Sequence, residues 1–253
     1  MSGGGDFDYD AKGAGYAGFR RTDPRIAALV TEALGEARTV LNVGAGAGSY
    51  EPASRHVVAI EPSATMRAQR PPGAAPAIHG FAEALPLDDA SVDAAMAMIT
   101  VHQWLDWRKG LGELRRVSRG PVVVLTFDGD ALDRFWLNAY APELIAAERK
   151  RYPPIAGIAG AIGPASEVIT VPIPIDCTDG FTEAFYARPE RMLEPAVRRA
   201  QSAWGFVEPH VEPRFAETLA TDLASGRWDE RYGNWRTRPT FDGSLRLVVG
   251  RPI

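Results

Sequence analysis

Short apolar runs alternate with helix-like segments along the first half of the chain. Five of these runs predict β-strands, over residues 39–43, 57–61, 74–80, 93–100 and 121–127. The intervening segments favour helices, and residues 107–120, for example, place Leu111, Leu114 and Val117 on one face. Because apolar strands that alternate with helices pair in parallel through right-handed crossovers, the pattern predicts an α/β fold with a doubly wound sheet.

The alternation breaks after Phe127. Residues 131–152 favour a helix, residues 153–165 indicate a linker rich in Pro and Gly, and residues 167–176 alternate as a strand does. Helix-like segments rich in aromatic residues follow, and residues 244–250 predict a last strand. We therefore interpret most of the second half as elaborations around the C-terminal side of the sheet, where they cover a pocket.

Composition narrows the classes of protein that fit this chain. The 253 residues carry a formal net charge of -4, and no stripe of Lys and Arg suggests a nucleic-acid partner. No apolar run approaches the ~20 residues that span a bilayer, and the acidic N-terminus is unlike a signal peptide, so we expect a cytoplasmic protein without a membrane partner. A single cysteine, Cys177, excludes a cysteine-based metal cluster, and the histidines lack metal-ligand spacing, so we expect no metal site.

A glycine-rich turn follows the first predicted strand. Gly44, Gly46 and Gly48 occupy alternate positions, where a ligand can approach the backbone beyond the carboxyl end of a strand. We expect their N–H groups and the start of a following helix to favour a negative group. Glu61, at the end of the second predicted strand, can accept hydrogen bonds from both hydroxyls of a ribose. Together these features predict a nucleotide-like cofactor.

Four segments carry a resemblance to a known family: "VLNVGAGAGSYE", "VVAIEPSATM", "GFAEALPLDDASVDAAMAMITVHQW" and "LGELRRVSRGPVVVLTFD". In order and spacing they resemble the motifs of class I S-adenosylmethionine-dependent methyltransferases of the methyltransferase-11 type. The family's first motif, G-x-G-x-G, matches the three glycines, whereas dinucleotide-binding proteins carry a further glycine where this chain has Ser49. The resemblance implies a Rossmann-like seven-stranded sheet with helical lid insertions, and S-adenosyl-L-methionine as the cofactor.

The resemblance, which covers about residues 16–128, also implies a division of the chain. Residues 1–36 would form an N-terminal cap segment and residues 37–128 the cofactor-binding core. Residues 129–240 would form lid and substrate-binding elaborations that include a sixth strand near 167–176. Residues 241–253 would supply the strand that closes the core sheet.

The family's motifs also assign residues to the cofactor. These positions are Tyr16, Arg20, Gly44, Ala45, Gly46, Glu61, Pro62, Met66, Ala82, Glu83, Ile99 and Thr100. The glycine turn, with Ala45, would lie along the methionine part of the cofactor, and Glu61 would bind the ribose. Pro62 and Met66 would lie beside the adenine.

The remaining assignments concern the ends of the cofactor. Ala82 and Glu83 would lie at the adenine edge, next to Phe81, which stands where many relatives carry Asp. Ile99 and Thr100 would face the amino-acid end and the sulfonium. Arg20, in a Tyr-x-x-x-Arg segment, would pair with the cofactor's carboxylate, and a solvated charge beside a helix is the alternative.

Methyl transfer from a sulfonium needs the nucleophile, the methyl carbon and the sulfur to be aligned in a pocket without water. It needs little covalent catalysis by the protein. His102, just past the fourth predicted strand, could deprotonate an acceptor or orient it, and a structural histidine is the alternative. The aromatic residues between 181 and 235 suggest a lid over an apolar or aromatic acceptor. We predict S-adenosylmethionine-dependent methyl transfer to a small molecule. An NAD(P)-dependent oxidoreductase and a noncatalytic cofactor-binding module are the alternatives, and the acceptor and the oligomeric state stay open.

Overall fold

The computed structural model describes residue 10 and residues 16–252. Its strands are β1 Thr39–Val43, β2 His56–Ile60, β3 Ala77–Ile78, β4 Ala94–Met98, β5 Val122–Phe127, β6 Ser166–Thr170, β7 Ile173–Pro174, β8 Thr240–Phe241 and β9 Leu245–Gly250. Its α-helices are α1 Tyr16–Phe19, α2 Pro24–Ala33, α3 Ala64–Ala68, α4 Trp107–Val117, α5 Pro142–Arg151, α6 Ile155–Ile162, α7 Pro195–Arg199, α8 Val211–Ser225 and α9 Arg227–Tyr232. Short 3-10 helices connect several of these elements.

Seven strands form the central sheet, in the order β3-β2-β1-β4-β5-β9-β6. Strands β1 to β5 pair in parallel, and β9 lies antiparallel between β5 and β6. The predicted doubly wound α/β sheet is therefore confirmed. The strand order reverses between β1 and β4, so their carboxyl ends border the crevice where such sheets bind ligands.

Both faces of the sheet are covered, which explains why the central strands are apolar throughout. On one face, Leu111 and Leu114 of α4 pack with Ile158 of α6. On the other face, Ile26 of α2 belongs to a larger core that includes Trp136 and other aromatic residues of the second half of the chain. These aromatic side chains are mostly buried, so they bind the second half firmly to the sheet.

The connection from β1 to β2 differs from our expectation, because residues 44–55 contain no helix. Gly44, Gly46 and Gly48 all have positive φ angles, and so does Tyr50 at 63°. Left-handed residues at this spacing cannot continue a right-handed helix. The expected helix N-terminus beside the glycine turn is therefore wrong.

The expected linker over residues 153–165 is also wrong, because Ile155–Ile162 forms helix α6. Ile158 and Ile162 are fully buried against the sheet and α4. Glycine allows this close packing, since a Cβ atom at Gly157 would lie 2.9 Å from the Trp107 ring. Tertiary burial thus overrides the weak helix propensity of a Gly-rich segment.

Two further boundaries differ from the sequence prediction. Within residues 131–152 only Pro142–Arg151 is α-helical, and 3-10 helices precede it. The strand expected over residues 167–176 is divided into β6 and β7, because Pro172 has no N–H to continue the ladder. Strand β7 pairs instead with β8 in a separate two-stranded sheet.

We predict that Ile158→Ala lowers the free energy of unfolding by about 2–5 kcal/mol, the usual effect of removing a buried aliphatic side chain. Val168→Ala is the matched control, because Val168 is 45% exposed on β6. Urea unfolding followed by circular dichroism measures both effects. Equal stability of the two variants would mean that residues 155–162 do not pack as a core helix.

Candidate active site

A cavity of about 560 Å³ lies at the carboxyl ends of β1 and β4. Eight of the predicted cofactor positions line it, namely Arg20, Gly44, Ala45, Gly46, Glu61, Met66, Ile99 and Thr100. The fold therefore brings together residues from five separate parts of the sequence.

The glycine turn forms one wall of this cavity and packs tightly against β4. Gly44 has a φ of 67°, and a Cβ atom there would lie 2.2 Å from Thr100 Oγ1. The N–H groups of Gly44 and Ala45 both donate to the Ile60 carbonyl, at 2.9 and 3.0 Å. Because these donors are already used, they hold the turn to β2 and are not offered to a negative ligand, contrary to our expectation.

Glu61 follows β2 directly and lines the cavity. Its two carboxylate oxygens accept hydrogen bonds from the N–H groups of Gly46 and Ser63, each at 2.8 Å. Burial raises the pKa of Glu61, while these two backbone donors act in the opposite direction. The carboxylate is thus fixed in place and keeps lone pairs for a ligand.

Asn42, on β1, also lines the cavity but was not among the predicted positions. Its Nδ2 donates to Glu51 Oε1 at 2.9 Å, and Glu51 forms an ion pair with Arg70 at 2.7 Å. Within the described part of the chain, Asn42 Oδ1 is buried without a hydrogen-bond partner. A polar residue inside the otherwise apolar run "TVLNV" was the signal that could have identified it.

Asp179 joins three parts of the chain at the floor of the cavity. It is 1% exposed, and its carboxylate accepts hydrogen bonds from Arg20 Nε at 2.6 Å and from the Tyr50 hydroxyl at 2.8 Å. Burial and the neighbouring Asp179 charge raise the pKa of Tyr50, so Tyr50 acts as a neutral donor. Asp179 therefore orients Arg20, and no local pattern in the sequence indicated this role.

A second cavity, of about 490 Å³, adjoins the first. Arg20, Ile99 and Gln103 line both cavities. Ile99 has a φ of 54°, which is a strained conformation for a β-branched residue. A strained residue fixed between two cavities is typical of a functional site.

His102 lies in this second cavity and is 9% exposed. Burial, followed by the charges of Arg151 and Arg20, keeps its pKa well below the ordinary value, so the imidazole is neutral. Its ring contacts the Tyr152 ring edge-on at 4.9 Å, and Nδ1 has no hydrogen-bond partner among the described residues. A neutral imidazole with an unused nitrogen can accept a proton.

Two buried glutamates, Glu148 on α5 and Glu183, line the same cavity. Burial raises the pKa of each to about 7, and the Glu183 charge is a second cause for Glu148. Neither glutamate was among the site residues predicted from the sequence. The helical spacing of Glu148 from the buried Leu144 and Ile145 was the signal that would have placed it on the inner face of α5.

Several predicted positions lie outside the cavity linings. The structure begins α1 at Tyr16, whose side chain is outside the described part of the chain. Pro62 and Ala82 do not line the cavity, and Ala82 is buried beside Gly110. The Glu83 carboxylate accepts a hydrogen bond from the Asp106 N–H at 3.1 Å. Their contacts with a cofactor stay a prediction.

The described residues, 10 and 16–252, contain no group of three or more metal-ligating side chains. Among the same residues, every helix is too short or too polar to span a bilayer.

A known family accounts for the arrangement around the glycine turn. The sequence model of the methyltransferase domain, methyltransferase-11 type, matches residues 41–124, which include the turn, Glu61 and Ile99. These residues therefore carry a methyltransferase domain, and the chain is similar to S-adenosylmethionine-dependent methyltransferases. The resemblance described above is thus confirmed, and with it S-adenosyl-L-methionine as the cofactor of this methyltransferase family.

Individual relatives agree with that similarity. The chain is 32% identical over 160 residues to a malonyl-[acyl-carrier protein] O-methyltransferase of Erwinia billingiae, an alignment that covers 58% of the chain. The chain spans 61% of the length of that curated relative.

Solved structures extend the similarity to most of the chain. A crystal structure from Anabaena variabilis, described as a methyltransferase from an antibiotic biosynthesis pathway, superposes with a TM-score of 0.84 at 29% identity. That match covers 92% of this chain and 98% of the other. An S-adenosylmethionine-dependent methyltransferase of Thermotoga maritima shares the fold, with a TM-score of 0.54 at 15% identity over 93% of this chain and 91% of the other.

We predict that Glu148→Gln stabilises the protein at pH 8 and has little effect at pH 5. The ordinary pKa of this carboxyl is 4.5, and the folded value is about 7. A pKa raised by folding favours the folded state below pH 4.5, and this contribution is lost as the pH rises through 7. The variant should therefore gain about 1–3 kcal/mol at pH 8, measured by urea unfolding. An equal effect at both pH values would contradict the raised pKa.

Proposed function

We propose that this protein transfers the methyl group of S-adenosylmethionine to a small-molecule acceptor. The observation that carries this proposal is the junction of two cavities at Ile99, one lined by Glu61 and the glycine turn and the other by His102. S-adenosylmethionine supplies a methyl group that is activated on a sulfonium. The protein has to hold donor and acceptor at this junction and exclude water from it.

The residues of the first cavity suit such a cofactor. The fixed Glu61 carboxylate would accept hydrogen bonds from the ribose hydroxyls. The unpartnered Asn42 Oδ1 is an acceptor for the cofactor's ammonium group, since a buried acceptor without a donor is unfavourable. Arg20, oriented by Asp179, would face the cofactor's carboxylate.

The adenine would lie further along the same edge of the sheet. We propose Pro62 and Met66 beside its ring, with Ala82 and Glu83 at its edge. Thr100, pressed against Gly44, would support the methionine part together with Ala45 and Gly46. Tyr16 would cover the cofactor from the N-terminal side.

On the acceptor side, we propose that His102 takes a proton from an acceptor that enters protonated. The lowered pKa keeps the His102 imidazole neutral, so a nitrogen lone pair is free, and it also makes the imidazole a weaker base than ordinary histidine. The ring contact with Tyr152 fixes the imidazole beside the cavity. The aromatic side chains of this cavity favour an apolar or aromatic acceptor.

Neither alternative suits the sequence as well. An NAD(P)-dependent oxidoreductase would need the glycine that Ser49 replaces, and the family match extends beyond the turn to β5. A noncatalytic module would not need a strained junction between two cavities. The net charge of -4 supports a small acceptor over nucleic acid, and we propose the cytoplasm as the site of action.

We predict that Glu61→Ala weakens binding of S-adenosylhomocysteine by about 1–3 kcal/mol, because hydrogen bonds to a charged group are lost. Isothermal titration calorimetry measures the affinity. Glu32→Ala is the control, since Glu32 is exposed on α2. Unchanged affinity of the Glu61 variant would refute the proposal. Tight binding of NADH by the native protein, without binding of S-adenosylmethionine or S-adenosylhomocysteine, would refute it as well.

We predict that His102→Gln lowers kcat by a factor of about 10²–10⁴, the usual contribution of a general base, without weakening cofactor binding. The measurement uses an acceptor identified by the mass of its methylated product. A native pH profile would show loss of activity at acid pH, where the imidazole becomes protonated. Full turnover by the variant would remove His102 from the mechanism.

A further inference from the structure

The second cavity is lined by Glu148, whose carboxylate has no hydrogen-bond partner among the described residues. Glu148 is 6% exposed, and none of the described residues donates a hydrogen bond to its carboxylate. A buried carboxylate without donors is unfavourable when ionised, which agrees with its pKa of about 7. A ligand that brings its own N–H donors would satisfy it.

The other charged groups that line this cavity already have partners. Arg20 is paired with Asp179, and Glu183 accepts hydrogen bonds from the Ser244 N–H and hydroxyl, the latter at 2.7 Å. Arg151 lies outside the lining and stacks over the Phe206 ring at 4.2 Å. The charges of Arg151 and Arg20 both act on Glu148. Glu148 and Glu183 are nevertheless the carboxylates that a ligand in this cavity would meet.

Aromatic rings also line the second cavity. Phe127 contacts Tyr152 at 5.4 Å and Phe181 at 5.3 Å between ring centroids, and all three line the cavity. Aromatic faces attract cations, most strongly where water is excluded. Carboxylates and aromatic rings that line one cavity thus favour the same kind of ligand.

We propose that the second cavity binds its acceptor as an ammonium ion, held by Glu148, and that the methyl group is transferred to the nitrogen of a primary amine. This inference rests on the proposed function and specifies its acceptor. A carboxylate acceptor would meet the charge of the two glutamates. An alcohol would bring one O–H donor, whereas an ammonium brings three N–H donors and the opposite charge.

The reaction balances with the groups present. The ammonium transfers one proton to the neutral His102 imidazole, which frees the nitrogen lone pair. The lone pair forms the new N–C bond as the C–S bond breaks, and the electrons of that bond stay on sulfur as a neutral thioether. The methylated product leaves as a cation, and His102 releases its proton to solvent.

Binding of matched probes tests the proposal without knowledge of the natural acceptor. The protein saturated with S-adenosylhomocysteine is titrated with benzylamine, n-hexylamine and the corresponding alcohols and carboxylic acids. We expect at least one amine to bind about tenfold more tightly than its alcohol and acid, because of the charged hydrogen bond. The same amine with S-adenosylmethionine should give a product 14 mass units heavier, the mass of one added CH₂.

Variants then assign the binding to Glu148. Glu148→Gln keeps the shape of the side chain, and we expect it to weaken amine binding about tenfold while S-adenosylhomocysteine binds as before. Glu143→Gln is the matched control on α5, since Glu143 is exposed and pairs with Arg214 on the surface. Glu183→Gln provides a second variant in the cavity.

The outcomes separate this inference from the proposed function. Failure of S-adenosylhomocysteine to bind would refute the proposed function itself. Three outcomes with normal cofactor binding would overturn the amine proposal alone. In the first, no amine binds. In the second, an alcohol or acid binds as tightly as the amine, and in the third, Glu148→Gln binds the amine as tightly as the native protein does.

Discussion

The buried carboxylate of Asp179 is the contact on which the site depends most. It accepts hydrogen bonds from Arg20 near the N-terminus and from Tyr50 in the glycine-rich connection, and it lies itself in the second half of the chain. Because breaking one side of a buried charged pair is strongly unfavourable, these segments are held together as a unit. The backbone contact from Gly180 to Phe19 reinforces the same junction.

This junction gives the two cavities different characters. The first is bordered by backbone of the glycine turn and by fixed polar groups such as Glu61, which suits a cofactor of defined shape. The second is bordered by aromatic rings and by carboxylates with raised pKa values, which suits selection of an acceptor by charge. The strained Ile99 lies on both linings, so the sheet fixes the distance between them.

The core sheet and half of the site could be predicted because their signals are local. A strand followed by the glycine turn and then Glu61 is a short, ordered pattern, and parallel strands bring their carboxyl ends together. Helix α6 was not predicted because it depends on burial of Ile158 and Ile162, a tertiary effect that the local Gly-rich sequence does not indicate. No helix forms after β1 because Gly44, Gly46, Gly48 and Tyr50 adopt positive φ angles, and the Ile60 carbonyl also holds the turn.

The sequence alone indicated the α/β class, because periodicity depends on residues close together in the chain. Its four motifs also carried the resemblance to S-adenosylmethionine-dependent methyltransferases, and that resemblance implied the cofactor. Only the tertiary structure placed Glu148, Glu183 and Asp179 beside His102 and Arg20, since these residues come from segments far apart in sequence. Burial raises the pKa values of Glu148 and Glu183, an effect that depends on the folded chain and not on the local sequence.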